Sequence, residues 1–223
     1  MIELAVFDIA GTTIEEHQAV YVALADAVRA AGAEPTSDDI ASWMGADKRE
    51  AIGALTGLTD VAEIEDVHTR FRTRLAELYA ETPPQPLPGV TEALAQLRTA
   101  GIKVALTTGF DHAVADDLLA TVGWGDNLDA VVCADDVEAG RPAPFMIQRA
   151  MALTGIADPA HVLTAGDTTR DLYAGTNAGA AIVVGVLSGG QSRELLESAP
   201  HTHLLGSVAE IAGLLADRGQ SFS

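Results

Sequence analysis

Four short segments hold residue types that phosphoryl chemistry uses. Asp8 follows the apolar run Leu4-Ala5-Val6-Phe7 and is followed in turn by Gly11-Thr12. Thr107-Thr108-Gly109 closes a second apolar run that begins at Ile102, and offers a hydroxyl and a backbone N–H. Asp135-Asp136-Val137-Glu138-Ala139-Gly140-Arg141-Pro142 comes after a third run and ends in an arginine held between glycine and proline. Gly166-Asp167-Thr168-Thr169-Arg170-Asp171 comes after a fourth and carries two carboxylates four residues apart, Asp167 and Asp171. Carboxylate oxygens are the hard donors that Mg²⁺ prefers. Hydroxyl, amide and guanidinium groups suit the equatorial oxygens of a phosphoryl group, whose transfer is mainly positioning and charge stabilisation. Asp8 alone would be a weak signal, because many strands end in aspartate. Its weight comes from the other three segments.

These groups meet only if each segment ends a strand at one edge of a parallel sheet, where ligands of open α/β folds bind. Strands are expected at Glu3 to Phe7, Ile102 to Thr107, Ala130 to Cys133, Val162 to Ala165 and Ala181 to Val186, all short and apolar as buried parallel strands are. Helical patterns lie between them near Val90 to Ala100, His112 to Val122, Pro144 to Thr154, Asp171 to Ala178 and Val208 to Asp217. The alternation predicts an α/β fold, a Rossmann-like parallel sheet flanked by helices. From about Glu15 to Glu81 it stops. Apolar residues there recur at helical spacing (Val20, Leu24, Val28, then Ile64, Val67, Phe71, Leu75, Leu78), and Pro83 to Gly89 reads as a stiff extended linker. The expected organisation is an α/β core of residues 1–14 and 84–223, with a small all-helical cap of residues 15–83 inserted after the first strand.

The chain has 223 residues, enough for a substantial core, and a formal net charge of −19. Such a charge argues against nucleic acid and anionic membranes as partners. It also means that an anionic substrate needs local positive charge. The single cysteine, Cys133, excludes an internal disulfide framework and points to a reducing compartment. The chain opens on a strand pattern with no leader-like segment, and no apolar run approaches a membrane span. A cytoplasmic protein is expected.

The segment Asp8-Ile9-Ala10-Gly11-Thr12-Thr13, with the other three in this order, resembles the motif set of the haloacid dehalogenase (HAD) superfamily across essentially the whole chain. The resemblance implies that Asp8 attacks phosphorus to give an aspartyl-phosphate. It also implies that Mg²⁺ is held by Asp8, the Ala10 carbonyl and Asp167, and that Thr108, Gly109 and Arg141 hold the phosphoryl oxygens. Asp171 would orient metal waters or a neighbouring side chain. The usual phosphatase motif carries a second aspartate, the acid for the leaving oxygen, where this chain has Ala10. That departure and the Gly140-Arg141-Pro142 form are similar to the phosphonatase-like subgroup.

Met44 to Leu55 resembles the phosphonatase cap segment whose lysine forms a Schiff base, a role that falls on Lys48. The chain has two lysines, Lys48 and Lys103, against eleven arginines, and an amine condenses with a carbonyl where a guanidinium does not. Direct rupture of a C–P bond expels a carbanion. An imine with the adjacent aldehyde turns that carbanion into an enamine, no oxygen leaves, and no acid is needed at Ala10. A solvated helix lysine paired with Asp47 or Glu50 is the plainer alternative. Ala51 and Phe110 stand where phosphonatases carry a histidine and a tyrosine.

Three functions follow: cleavage of the C–P bond of a small phosphonoaldehyde, hydrolysis of a small phosphate monoester such as phosphoglycolate, and a phosphoacceptor or binding module without turnover. The partner is a small phosphonate or phosphate, and the resemblance implies a homodimer through the cap. His17, His68, His112, His161, His201 and His203 show no metal-ligand spacing, His201-Thr202-His203 reads as an exposed loop pair before the last strand, and Cys133 reads as buried and inert.

Overall fold

The structure is a computed structural model and describes residues 1–125 and 127–222. Its strands, in chain order, are β1 (Leu4–Asp8), β2 (Ile14–Glu15), β3 (Gln85–Pro86), β4 (Lys103–Thr107), β5 (Ala130–Val132), β6 (Val162–Gly166), β7 (Ile182–Val186) and β8 (His203–Leu205). Six of them form a parallel sheet in the order β5-β4-β1-β6-β7-β8. The central strand β1 is buried along its whole length, as an apolar run covered on both faces must be. Register sets the active edge. Asp8 lies opposite Thr107, Phe7 opposite Ala165, and Thr107 opposite Val132, so the segments following these strands emerge side by side.

The chain divides into two compact units, Met1–Glu15 with Gln85–Ser223, and Glu16–Pro84. The second contains α1 (Ala19–Ala30), α2 (Ser37–Ser42), α3 (Lys48–Thr56) and α4 (Val61–Glu81). Val20, Leu24 and Val28 of α1 and Val67, Phe71 and Leu75 of α4 are buried at the expected helical spacing, while Ile64 and Leu78 at its ends are half-buried. Asp47 and Asp60 cap α3 and α4 by accepting from backbone N–H groups of their first turns. Arg49 holds Glu65 through two hydrogen bonds (Nε–Oε2 2.7 Å, Nη2–Oε1 3.1 Å), tying α3 to α4, and Arg74 holds Asp26 of α1 at 3.0 Å.

The first unit adds α5 (Val90–Thr99), α6 (His112–Thr121), α7 (Phe145–Thr154), α8 (Thr169–Asn177), α9 (Arg193–Glu197) and α10 (Ile211–Asp217). One face of its sheet packs Val6, Ala105, Met146, Ile147 and Ala174 into a continuous cluster. The fold is the α/β Rossmann-like architecture that the sequence predicts, and the five expected strands lie within one residue of the observed ends. Three details differ. Gln85-Pro86 is not merely linker but pairs antiparallel with Ile14-Glu15, an edge pairing short enough to accept a proline. His201 and His203 are half-buried rather than exposed, and the last strand, β8, starts at His203 itself rather than after it. The expected helix from Val208 is broken, with a 3₁₀ turn at Val208–Glu210 preceding α10.

Candidate active site

Asp8 ends β1 and is 7% exposed. The chain then turns back at once. The Ile9 carbonyl accepts from the N–H groups of Thr13 and Ile14, and Thr13 Oγ1 donates to the carbonyls of Asp8 (3.0 Å) and Ile9 (3.1 Å). Gly11 makes the turn possible, at φ 82° and with Asp167 Oδ2 only 2.8 Å from where a Cβ would stand.

Asp167 follows β6 and meets the same turn: Thr12 Oγ1 donates to its Oδ1 at 3.1 Å, and the Gly190 N–H donates to its Oδ2 at 3.1 Å. The loop after β7 closes over this carboxylate. A Cβ on Gly189 would lie 1.9 Å from Asp167 Oδ2, and Ser188 Oγ donates to the Gly11 carbonyl at 2.8 Å. Asp171 accepts from Thr168 N (3.1 Å) and Thr168 Oγ1 (2.5 Å), so it closes the capping box at the start of α8. Gly166 leaves it room, since a Cβ there would lie 2.2 Å from Asp171 Cγ.

Arg141 joins these elements and is 3% exposed. Its Nη1 is 2.6 Å from Asp8 Oδ1 and also pairs with Asp171 Oδ1. Of the two roles expected for Asp171, the structure displays contact with a neighbouring side chain, the arginine. Thr108 and Gly109 are buried at the end of β4. Thr108 Oγ1 accepts from Phe110 N at 3.2 Å, which leaves its own proton free to be donated.

Burial sets the electrostatics. It raises the Asp8 carboxyl to about 6, with Asp171 adding to the rise and Arg141 opposing it. Burial likewise raises Asp167 to about 8, helped by the charges of Asp8 and Asp171. The same two partners hold Arg141 protonated, its pKa raised against the opposing effect of burial. The buried carboxyls of Asp8 and Asp167, the first raising the pKa of the second, together with the main-chain carbonyl of Ala10 two residues after Asp8, offer the all-oxygen donor types that suit a hard divalent cation. The residues present fit the expected Mg²⁺.

Lys48 lies in the other unit, as the first residue of α3. It is 4% exposed, and its Nζ donates to the Ala46 carbonyl at 2.9 Å. Sequence reasoning gave no role in the site to Thr12, Thr168 or the Ser188–Gly190 loop. Thr12 lay inside the quoted Asp8 motif, and the loop follows a strand at the active edge; position was the available signal. It also missed a contact of His112, whose Nε2 lies 3.0 Å from Asp136 Oδ2 and whose Nδ1 lies 3.6 Å from Cys133 Sγ. Cys133 is buried as expected, and burial with nearby acidic groups pushes its thiol up to about 12.

A parallel sheet with an aspartate ending its central strand, and an arginine and two further aspartates at the same edge, is the arrangement expected of an α/β protein of the HAD kind. The family model for haloacid dehalogenase-like hydrolases matches residues 5–185, and the chain belongs to that family. It is 31% identical over 242 residues to the phosphonoacetaldehyde hydrolase of Latilactobacillus sakei subsp. sakei, an alignment spanning 99% of this chain and 90% of that protein. A solved phosphonoacetaldehyde hydrolase-like protein from Oleispira antarctica superposes with a TM-score of 0.82 at 24% identity, over 97% of this chain and 92% of that one. A predicted phosphoglycolate phosphatase from Haemophilus somnus superposes at 0.76 and 18% identity, over 96% and 98%. The two superpositions establish the shared fold. The protein is therefore a hydrolase of the HAD family, similar to phosphonatases in sequence and to both phosphonatase-like and phosphatase proteins in fold.

Proposed function

We propose that this hydrolase is a Mg²⁺-dependent phosphonatase that cleaves the C–P bond of a small phosphonoaldehyde. The observation that carries the reading is Ala10, two residues after Asp8. A general acid contributes about 10²–10⁴ in rate when an alkoxide must leave, and Ala10 provides no acid at that place. The sequence likeness to phosphonoacetaldehyde hydrolases supports the same reading.

In this reading the Lys48 amine condenses with the aldehyde, releasing water, and the imine takes up one proton from solvent to become the iminium. An Asp8 oxygen attacks phosphorus and the C–P bond breaks. Its electron pair moves into the new C=C bond of an enamine, neutralising the iminium nitrogen. Protonation at carbon and hydrolysis of the imine release the aldehyde, and water releases phosphate from Asp8. Arg141, Thr108 and Gly109 hold the phosphoryl oxygens. Mg²⁺, held by Asp8, the Ala10 carbonyl and Asp167, would supply charge neutralisation between the anionic carboxylate and the anionic phosphorus.

The test is phosphate release from phosphonoacetaldehyde with Mg²⁺, beside borohydride trapping. Reduction in the presence of substrate should add mass at Lys48, and Lys48→Arg should lose C–P cleavage although the charge remains. If Lys48→Arg keeps its activity, or phosphoglycolate is the better substrate, the enzyme is an ester phosphatase and Lys48 an anion-binding group.

A further inference from the structure

Beneath the contact of Arg141 with Asp8 and Asp171 lies a cavity of about 10 Å³, its polar groups supplied by Thr107, Arg141, Thr164 and Asp171 and its apolar walls including Val6 and Met146. A space of this size admits about one water. Two of its residues carry buried polar atoms with no partner among the described residues: Thr164 Oγ1, and Nε and Nη2 of Arg141.

Thr164 is a conspicuous choice for its position. It sits in the middle of β6, between Val6 and Val183, and is 5% exposed. Valine has the same shape and carries no polar atom there. Helix α8 accommodates the hydroxyl with a glycine, because a Cβ on Gly175 would lie 2.2 Å from Thr164 Oγ1. A buried hydroxyl or guanidinium nitrogen left unpaired is costly, and buried polar groups are as a rule satisfied by protein or by ordered water.

We infer that one buried water occupies this cavity and bridges the Arg141 guanidinium to Thr164 Oγ1. Its oxygen accepts from Arg141, which can only donate. One of its hydrogens goes to Thr164 Oγ1, and the other is available to Asp171 or Thr107. Nη1 is already committed to both Asp8 and Asp171. The water takes one of the donors on the remaining side of the guanidinium and leaves the others for a phosphoryl oxygen, so the planar group is kept from rotating away from that position. Thr164 is then a positioning residue that acts through Arg141. This rests on the reading of Arg141 as a phosphoryl-holding group, and not on which bond the enzyme breaks.

The test uses the whole protein with Mg²⁺, crystallography, and calorimetric titration with inorganic phosphate, which requires no knowledge of the substrate. Wild-type crystals should show a water about 2.7–3.2 Å from both Thr164 Oγ1 and an Arg141 nitrogen. Thr164→Val, matched in shape, should lose that water and bind phosphate about tenfold more weakly. Thr164→Ser should keep the water and wild-type affinity, a rescue that a packing role would not give. A dry cavity in the wild type, or wild-type phosphate affinity in Thr164→Val, overturns the inference. Loss of phosphonoaldehyde activity with these results intact would count against the substrate reading alone.

Discussion

Asp8 has two neighbours that pull it in opposite directions. Arg141 Nη1, 2.6 Å away, favours its carboxylate, while burial and Asp171 favour the acid. As the proposed nucleophile it has no substitute at the active edge, so Asp8→Asn should lower phosphate release by roughly 10³-fold or more while the fold persists. Retention of a tenth of wild-type turnover, in protein free of deamidation, would remove covalent catalysis by this residue. In the proposed reading Arg141 serves both bound and reacting phosphoryl groups, so Arg141→Ala should raise KM and lower kcat together, with kcat falling by about 10²–10³. Steady-state kinetics indistinguishable from wild type would leave Arg141 as loop structure only. Asp8, Arg141, Asp167 and Asp171 were all legible in the sequence because each follows an apolar run at a glycine-containing turn. Their pairing was not. Which aspartate Arg141 grips depends on side-chain directions across three strand ends, and sequence spacing carries no such information.

The elements explain how a site of four charges is held with so little freedom. Asp167 accepts from the turn after β1 and from the loop after β7 at once, through Thr12 and Gly190. Gly189 makes the second approach possible. Its Cβ would sit 1.9 Å from Asp167 Oδ2 and 2.4 Å from Asp167 Cβ. Gly189→Ala should therefore push the loop off the carboxylate and weaken Mg²⁺ binding by about tenfold, with circular dichroism unchanged. Calorimetric titration checks it, and undiminished Mg²⁺ affinity would show that the loop yields without moving Asp167. The strands themselves were readable because unbroken apolar runs of β-branched and aliphatic residues have few other uses in an α/β chain. β8 was legible only as a last strand somewhere after the histidine pair and not in its bounds, since His203-Leu204-Leu205 is three residues long and begins with histidine. The β2–β3 pair was hidden for another reason: two-residue strands have no period, and proline argues against pairing until the partner is known.

At the scale of the molecule, a chain of net charge −19 pairs the buried carboxyl groups of Asp8 and Asp171 with one buried guanidinium, and buries Asp167 within the influence of both carboxyls. Among the described residues no helix is long and apolar enough to cross a membrane. The consequence for stability has a definite sign. Asp8 and Asp167 have ordinary values of 3.8 and are raised in the fold to about 6 and about 8, burial being the largest cause for each. A group raised on folding contributes stability that is fully present below its unfolded pKa and is lost as pH rises through the folded one. Protein held in chelator should thus lose stability from these two groups as pH climbs from about 4 to about 8. A divalent cation binds the ionised carboxylates and competes with protons, so the gain in Tm on adding Mg²⁺ should be small near pH 5 and larger near pH 8. Comparing the gain at each pH cancels the general repulsion of an acidic chain, because both samples share it. Asp167→Asn removes the group raised furthest and should flatten the trend. Scanning calorimetry of chelated and Mg²⁺-loaded protein across that range decides the matter. An equal gain in Tm at both ends would mean that Asp8 and Asp167 are ionised throughout, and that burial does not govern their charge.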